Sequence, residues 1–491
     1  MDPTLEKLNV LQYIKSESMT MPENKSKPFC TYKRVCRSLL AALTPMSTID
    51  ALKEVSDNTL GQHNNFRWHT VRLHRITASM SQRYLLLGLQ CRKMKGSIKR
   101  DKLKAFEVHY CSQEPDLSHI PAVRHGTVHE NLTKILYNCF LCPGMCIEHR
   151  FGFLLHPHNF VWGASLDYAY GPKCVSSCPR HNLFPHLEAI VEIKCPYRLH
   201  FETTETEGDH YARFSSLLLH VDNTNKTPNI DQKLAKSISD LLLFKCGSFK
   251  QKNKRLVCTN RNDLFIKCPV SARPCISNNQ SLHLSTMSYD DMETYVTKTL
   301  PRLWSKSTDF PRHSDHFWNS VVQQHICGTR NENVIAVVFK SRTICKDERN
   351  DSGADTPGHN ECIDVSVLCT LNSNRYPTLN LRVNPWHLYS SQMHSQKAIV
   401  DACTQLCADE ICTCDSSRNT SVRSEFVFLA TRSRTNLEKQ LPLMVGDQLV
   451  ENVEVPLFLL KVPFHCTQTQ WDLIYVGASL GFEEVRNIHT S

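Results

Sequence analysis

The segment His186–Arg198, HLEAIVEIKCPYR, contains the strand that decides the fold. Side chains alternate between the two faces of a strand, so four apolar residues share one face: Ala189, Val191, Ile193 and Cys195. Glu192 and Lys194 share the other face. A carboxylate and an ammonium in an otherwise buried strand cost free energy unless they are paired or bound to a metal. The pattern therefore predicts a functional site on this strand.

A second strand is predicted upstream, in Phe160–Asp167, FVWGASLD, and it ends in Ser165 and Asp167. These two residues point to the same face because of the period of two. Asp and Glu-x-Lys at the ends of adjacent strands form the layout of metal-dependent phosphodiester cleavage. In that layout Asp167 and Glu192 hold Mg²⁺, and Lys194 orients water or stabilises charge. The alternative is a buried ion-pair network in an ordinary α/β core, and the spacing alone does not decide between the two.

A third carboxylate lies on a predicted helix, His125–Phe140, HGTVHENLTKILYNCF. Its apolar residues fall at helical spacing: Leu132, Ile135, Leu136, Cys139 and Phe140. Glu130 lies on the opposite side, in what we expect to be the first turn. The helix dipole favours a carboxylate there, which is a structural reason for its presence.

The segment Trp68–Ser79, WHTVRLHRITAS, predicts a helix that binds phosphate. It supplies guanidinium and hydroxyl groups from Arg72, Arg75, Thr77 and Ser79, and Gln62 precedes Arg72 by ten residues. Such groups are common phosphate ligands. The alternative is an amphipathic surface helix capped by Thr or Ser.

The 491-residue chain contains 57 Lys and Arg against 48 Asp and Glu, a formal charge of +9, with 24 His. This balance favours a polyanionic partner. With 41% hydrophobic residues the chain is not mainly disordered. No apolar run approaches the roughly 20 residues that span a bilayer. Met1–Lys15 lacks the apolar centre of a secretory signal, so we expect an intracellular protein without a membrane partner.

Two basic runs and several cysteine groups have no single interpretation. Residues 92–104 and 245–255 are candidates for a nuclear import signal or a phosphate-contacting loop, and equally for a solvated surface. The densest groups of the 23 Cys lack the spacing of a zinc ribbon: 139, 142 and 146; 174, 178 and His181; 403, 407, 412 and 414. We expect ordinary thiols rather than disulfides or a metal, with Cys139 in the core.

Taken together, the motifs resemble the alkaline nuclease family of herpesviruses, which is related to phage lambda exonuclease. The resemblance covers roughly residues 56–345. It rests on five ordered motifs: Gln62; Trp68-x-x-x-Arg72-x-x-Arg75-Ile-Thr-Ala-Ser79; Gly126-x-x-x-Glu130; Gly163-Ala-Ser165-Leu-Asp167; and Glu192-Ile-Lys194-Cys-Pro196. A looser sixth motif, Arg312–Ile326, resembles the family's His-rich segment and following helix, with Gln323 facing DNA and Asn319 where the family often has Gln.

The resemblance implies a bilobed α/β fold with a restriction-endonuclease-like PD-(D/E)XK core, in which helices flank a mixed central sheet. It implies a Mg²⁺-dependent deoxyribonuclease, with Mn²⁺ able to substitute, that degrades linear double-stranded DNA 5′ to 3′ and has some endonuclease activity. Glu130, Asp167 and Glu192 would hold the metal, and Lys194 would be catalytic. The implied contacts to the 5′-phosphate or DNA are Gln62, Arg72, Arg75, Ser79, Ser165 and Gln323.

The expected organisation has three parts. Residues 1–55, with a short helical pattern at Tyr32–Leu43, form a helical lobe or arm, and 56–345 form the nuclease core. Residues 346–491 begin with a polar loop, 346–361, and add strands at Ile363–Leu371, Glu425–Ala430 and Val455–Val462.

The same resemblance leaves alternative functions and partners open. An endoribonuclease that acts on host messenger RNA at this site, or a packaging factor that binds nucleic acid without cleavage, would show the same motifs. The partners it implies are double-stranded DNA, RNA and a viral single-stranded DNA-binding protein. The implied location is the host nucleus, with the host cytoplasm as an additional location.

Overall fold

The structure is a computed structural model. It describes residues 48–91, 106, 117, 119–142, 144, 146–172, 184–202, 214, 216–217, 228–242, 249–252, 255–258, 265–266, 333–345, 361–379, 381–383, 387–406, 422–466 and eleven positions between 471 and 485. In these ranges the helices are α1 (Thr48–Asn58), α2 (Phe66–Arg72), α3 (Ser81–Cys91), α4 (Pro121–Phe140), α5 (Pro228–Leu242) and α6 (Leu388–Leu406). None of them is both long and apolar enough to cross a membrane.

The first strands build two sheets. They are β1 (Ile76–Thr77), β2 (Cys146–Glu148), β3 (Phe153–His156), β4 (Asn159–Ser165), β5 (Tyr168–Pro172), β6 (Ala189–Lys194) and β7 (His200–Phe201). A small sheet has the order β1-β4-β3, with β1 parallel and β3 antiparallel to β4. Strands β5 and β6 pair antiparallel in a larger sheet.

The later strands complete the larger sheet and form two separate two-stranded sheets. They are β8 (Phe249–Lys252), β9 (Arg255–Cys258), β10 (Phe265–Ile266), β11 (Ile335–Cys345), β12 (Glu361–Asn372), β13 (Arg382–Val383), β14 (Arg423–Arg432), β15 (Leu443–Val445), β16 (Gln448–Val450) and β17 (Val455–Phe464). The ten-stranded sheet has the order β16-β15-β12-β11-β17-β14-β6-β5-β2, and β7 pairs with β14. Strand β6 is parallel to β14 and antiparallel to β5, so the sheet is mixed. The predicted mixed α/β class is confirmed.

The core lies on both faces of this sheet. On one face α4 buries Leu132, Leu136 and Tyr137 against the sheet. The predicted apolar face of β6 lies here: Ala189, Val191, Ile193 and Cys195. The opposite face packs against α6, α3 and the helical residues near the C-terminus. The alternation predicted for β6 is therefore confirmed, and it separates Glu192 from the α4 side.

Helix α3 and the C-terminal helical residues approach each other closely at three glycines. A Cβ at Gly481 would lie 2.0 Å from the carbonyl oxygen of Tyr84, and one at Gly88 would lie 2.1 Å from that of Gly477. Such distances are shorter than any real carbon–oxygen contact, so the packing requires glycine at these positions. The aromatic ring of Tyr475 stacks on Trp162 of β4 at 5.4 Å, which extends this contact to the small sheet.

Several sequence expectations change with the structure. The strands expected near 363–371, 425–430 and 455–462 are present as β12, β14 and β17. The helix expected over 68–79 is wrong, because α2 ends at Arg72, Leu73 is extended and His74 has φ 57°. Tertiary pairing overrides the helical spacing here: Ile76–Thr77 forms β1 beside β4.

Helix α4 begins earlier than expected. Pro121 occupies its N-terminus, where the fixed φ of proline suits the first turn. Glu130 is consequently the tenth residue of the helix and lies outside the first turn. Cys139 is exposed, contrary to the expected core position, because residues 132 and 136 face the sheet.

The three-part division of the chain stays a prediction. Helix α1 runs across its first boundary at residue 55, and the large sheet takes strands from both 56–345 and 346–491. The helix expected at 32–43 and the loop 346–360 lie outside the described residues, although β11 and β12 on either side of that loop pair as a hairpin.

Candidate active site

Glu192 lies in an interior strand of the large sheet. It sits in β6 opposite Phe426 of β14 and is fully buried. The neighbouring strand β5 is reached from β4 through Leu166 and Asp167 alone. Strands β4 and β6 belong to different sheets, so the expectation that they are adjacent is wrong. Asp167 reaches β6 from the link between β4 and β5.

Three charged side chains meet at this point. Asp167 Oδ2 accepts a hydrogen bond from the backbone N–H of Ile193 (3.0 Å) and lies 3.7 Å from Lys194 Nζ. Lys194 Nζ also donates to Glu192 Oε1. The ammonium therefore bridges the two carboxylates, and the structure brings together Asp167, Glu192 and Lys194 as the sequence predicted.

Helix α6 supplies side chains to the same cluster. Gln392 Nε2 donates to Glu192 Oε1 (2.5 Å), and Gln396 Nε2 donates to Glu192 Oε2 (2.7 Å) and to the carbonyl oxygen of Ser165 (2.9 Å). The ring of Tyr389 lies 4.7 Å from Lys194 Nζ in a cation–π contact. Both oxygens of Glu192 are thus held by protein donors.

The sequence motifs do not single out these α6 residues. Gln392 and Gln396 are four residues apart, so they lie on one side of a helix. The available signal was the run of polar residues on α6 that is buried in the structure: Ser390, Ser391, His394, Ser395, Gln396 and Lys397. Buried polar groups of this density need partners, and Glu192 and Ser165 provide two of them.

Burial and charge shift the acidity of the cluster. Burial, together with repulsion from Asp167, raises the pKa of Glu192 to about 7, against the opposing effects of Lys194 and Gln396. For Lys194, burial lowers the pKa, but the attraction of Glu192 and Asp167 is stronger and raises it overall. Lys194 therefore remains an ammonium at any working pH.

The donor set fits a hard divalent cation. Mg²⁺ is commonly held by one or two carboxylates together with water and substrate phosphates. Glu192 Oε2 accepts one hydrogen bond and keeps a second lone pair, and Asp167 Oδ1 accepts none from the described residues. A cation between them would also favour the ionised form of Glu192. These two residues are the ones that would hold Mg²⁺.

Glu130, the third predicted carboxylate, pairs with a residue of its own helix. Its Oε1 accepts a hydrogen bond from Lys134 Nζ (2.8 Å), one turn along α4. Burial raises the pKa of Cys195 to about 12, and Glu130 and Asp167 both add to that effect, so both carboxylates lie near Cys195. In the described part of the chain, no three His, Cys, Asp or Glu side chains are arranged around one metal position. A metal role for Glu130 stays a prediction.

Arg72, one of the residues expected to bind phosphate, is linked to the site through Trp68 and Ser165. Trp68 Nε1 donates to Ser165 Oγ (2.7 Å), and the Arg72 guanidinium lies 3.8 Å from the Trp68 ring centroid. Ser79 Oγ lies 3.2 Å from Thr77 Oγ1. Arg72 therefore contacts the indole ring of Trp68. That ring is hydrogen-bonded to Ser165, two residues before Asp167.

Two further candidates have structural partners. Gln62 Nε2 donates to the carbonyl oxygen of Leu166 (2.7 Å), in the link that presents Asp167. Arg75 donates to the carbonyl oxygens of Val71 and Phe160. These contacts brace α2, β4 and the link. Gln323 and Asn319 lie outside the described residues, as does most of both basic runs and of the two later cysteine groups.

Known proteins match the part of the chain that carries these motifs. Residues 5–227 match the family model described as viral alkaline exonuclease. That range contains every predicted site residue except Gln323. Over these residues the chain is similar to the viral alkaline exonucleases. Over 151 residues, 30% of the chain, it is 25% identical to the alkaline nucleases of human cytomegalovirus strains Merlin and AD169. The matched region spans 25% of the length of those relatives.

Solved structures of this viral group share the fold. The Shutoff and Exonuclease Protein from Kaposi's sarcoma-associated herpesvirus superimposes with a TM-score of 0.58 at 15% identity, over 99% of this chain and 86% of that one. A SOX–DNA complex gives 0.54 at 15%, over 99% and 92%. A KSHV SOX–RNA complex gives 0.54 at 14%, over 93% and 78%. The similarity therefore extends beyond residue 227 to the strands and helix α6 that complete the site.

Proposed function

We propose that the chain is a Mg²⁺-dependent nuclease that degrades linear double-stranded DNA from its 5′ end, with some endonuclease activity and with Mn²⁺ able to replace Mg²⁺. The observation that carries this proposal is the ammonium of Lys194 between the carboxylates of Asp167 and Glu192. An ordinary core ion pair needs one carboxylate for one ammonium. This cluster has two carboxylates for one ammonium, and its surplus negative charge would suit a bound cation. The link to Ser165 and Arg72 adds groups that bind phosphate.

The residues divide the chemistry among themselves. Asp167 and Glu192 would hold Mg²⁺, which supplies stabilisation of the charge on the scissile phosphate and makes water more acidic. Lys194 stays protonated, so it donates a hydrogen bond that orients the attacking water or stabilises the developing negative charge. Gln392 and Gln396 fix the Glu192 carboxylate before substrate binds, so no reorganisation is needed at that residue.

The first experiment separates a catalytic cluster from a structural ion pair. Asp167→Asn and Glu192→Gln should lower Mg²⁺-dependent release of nucleotides from linear duplex by about 10⁴-fold or more. Both variants should keep the melting temperature of the metal-free protein within a few degrees. Asp364→Asn, which removes a carboxylate paired with Arg342 at 3.3 Å elsewhere in the large sheet, is the matched control and should retain activity. A large loss of stability with retained turnover would refute the proposal.

Lys194→Ala tests the division of roles. An ammonium is a donor and cannot be a metal ligand. The variant should therefore lose cleavage and still bind Ca²⁺, a non-productive substitute, in a calorimetric titration. Loss of Ca²⁺ binding would show that Lys194 holds the cluster together instead.

The preference for the 5′ end is assigned to Arg72 and Ser79. A terminal phosphate carries more charge than an internal diester, and guanidinium–phosphate bonds are strong. Arg72→Ala should lower the ratio of degradation rates on 5′-phosphorylated and 5′-hydroxyl duplexes at one fixed salt concentration. Arg67→Ala, from the same helix and bonded to Asn58 at 2.6 Å, is the control. An unchanged ratio with uniformly weaker binding would assign Arg72 to non-specific attraction.

RNA cleavage at the same cluster is the second candidate. It is favoured by the shared fold with a protein whose structure is known in complex with RNA. The test compares linear duplex, closed circular DNA and structured RNA as substrates for wild type and for Glu192→Gln.

We further propose that the protein acts in the host nucleus, with a viral single-stranded DNA-binding protein as a partner. If RNA is cleaved, we also propose a cytoplasmic fraction and host shutoff.

A further inference from the structure

One end of the large sheet is open. Strand β16 (Gln448–Val450) is the terminal strand and pairs with β15, with Leu449 opposite Met444. In the described part of the chain no strand pairs with the outer side of β16. The side chain of Leu449 is 51% exposed. An open edge of this kind can accept an added strand through main-chain hydrogen bonds.

A second exposed leucine lies on a turn that is tied to this edge. Leu437 is 89% exposed, in the turn 435–441 between β14 and β15. Arg432 donates two hydrogen bonds to the Glu438 carboxylate (both 2.8 Å). Arg434 Nε donates to the carbonyl oxygen of Val453 (2.6 Å), three residues beyond β16. The turn is thereby held in one shape, so little conformational freedom is lost when Leu437 contacts a ligand.

The edge is acidic, although the chain as a whole is basic. Residues 446–454, GDQLVENVE, contain three carboxylates and no Lys or Arg, against a net charge of +9 for the chain. Asp447 and Glu451 directly flank β16, and both are exposed. Such a surface repels phosphate groups and attracts cations. Nucleic acid is therefore a poor occupant of this edge, and a basic segment of protein is a good one.

A second copy of this chain fits the edge badly. Antiparallel self-pairing centred on Leu449 would bring Asp447 of each copy opposite Glu451 of the other. Like charges directly opposite each other in a sheet are destabilising. Short strands with charged flanks are a common protection against indiscriminate edge pairing. The same charges favour a partner that offers cations at these two positions.

We propose that β16 and Leu437, here called the β16 edge, bind an extended basic segment of a partner protein as an added strand. Cations of the segment would lie opposite Asp447 and Glu451, and an apolar side chain between them would cover Leu449. Alternate residues of a strand share one face. The pattern that fits is therefore a cation, an apolar residue two positions on, and a second cation two positions after that. This inference does not depend on the proposed nuclease function.

The test uses the full-length protein and synthetic nine-residue peptides in which Lys and Arg alternate with Val, Leu and Thr. Fluorescence anisotropy of the labelled peptide should show saturable binding to wild type. Hydrogen exchange should slow at the amides of 448–450 and stay unchanged at 146–148, the strand at the other end of the sheet. A peptide with proline at alternate positions lacks main-chain donors of a strand and should not bind. Nor should a peptide with Glu in place of Lys and Arg.

Leu449→Lys should abolish peptide binding, and Leu437→Ser should weaken it. The matched control is Ile147→Lys, which changes an exposed apolar residue (40% exposed) of the strand at the opposite end of the sheet and should bind as wild type. Asp447→Asn together with Glu451→Gln should weaken binding about 2- to 30-fold at low salt, the effect of two exposed ion pairs, and less at high salt. Melting temperatures check that each variant is folded.

Three results would overturn the proposal: no binding by wild type, an equal loss in Leu449→Lys and Ile147→Lys, or binding of the proline peptide. Sedimentation of wild type alone tests the other occupant. A dimer that Leu449→Lys converts to a monomer would assign the edge to a second copy and would also overturn the proposal. The expected result is a monomer in which the basic peptide protects the amides of 448–450.

Discussion

Replacement of Gln396 by Ala removes two hydrogen bonds at once. The Gln396 amide donates to Glu192 Oε2 (2.7 Å) and to the carbonyl oxygen of Ser165 (2.9 Å). A hydrogen bond to a charged group contributes about 1.5–3 kcal/mol and a neutral one about 1 kcal/mol. The free energy of unfolding should therefore fall by about 2.5–4 kcal/mol at a pH where Glu192 is ionised.

The same substitution should change the pH dependence of cleavage. The Gln396 bond opposes the burial that raises the pKa of Glu192 to about 7. Without that bond the carboxylate is harder to ionise, and 1.5–3 kcal/mol corresponds to about 1–2 pH units. The acidic limb of the rate profile in Mg²⁺ should move to higher pH by about that amount, while the rate at strongly alkaline pH falls less.

The measurements are urea unfolding of the metal-free protein at pH 8.5 and initial rates of nucleotide release between pH 6 and 10. Gln405→Ala is the matched control, because it removes an exposed glutamine from the same helix. It should change neither quantity. If Gln396→Ala matches this control in both measurements, the α6 contacts do not hold Glu192 and the positioning argument is wrong.

Three other predictions concern stability. Glu192 has a pKa raised from 4.5 to about 7, so the metal-free protein should lose up to about 3 kcal/mol of stability as pH rises between these values, and Glu192→Gln should abolish that slope in urea titrations. Gly481→Ala should lower the melting temperature by overpacking worth about 1–3 kcal/mol against Tyr84, whereas Gly126→Ala in α4, with open space around it, should not. His125, with a pKa lowered to about 4 by burial and by neighbouring histidines, should destabilise the protein as pH falls from 6.5 to 4; a wild-type slope in His125→Asn unfolding curves would contradict this.

The sequence predicted β6 and its two faces because alternation within one strand is a local property. Glu192 and Lys194 lie where the pattern placed them, and Asp167 joins them through Ile193. Helix α2 shows the opposite case. Residues 68–79 have helical spacing in the sequence, but the helix ends at Arg72 and Ile76–Thr77 pairs with β4. A pairing partner more than 80 residues away leaves no local signal.

The α6 residues illustrate the remaining limit. Gln392 is 200 residues from Glu192, and only the folded sheet brings β6 and α6 together. The sequence does show an unusual number of polar residues inside a helix, which indicates buried partners without naming them. The resemblance predicts that Gln62 contacts DNA, whereas in the structure its amide donates to the carbonyl oxygen of Leu166. The sequence does not reveal where that carbonyl group lies.

The pairing of β6 with β14 has a consequence for the timing of synthesis. Asp167, Glu192 and Lys194 are all synthesised about 230 residues or more before β14, which pairs with β6 on the side away from β5. At 5–20 residues per second this interval is roughly 10–45 s. Through most of this interval the nascent chain has its acidic residues but neither β14 nor the glutamines of α6, and long-range pairing of this kind folds slowly. A ribosome-bound or prematurely terminated chain should therefore be inert toward nucleic acid, so that the proposed activity arises only after translation has passed residue 432.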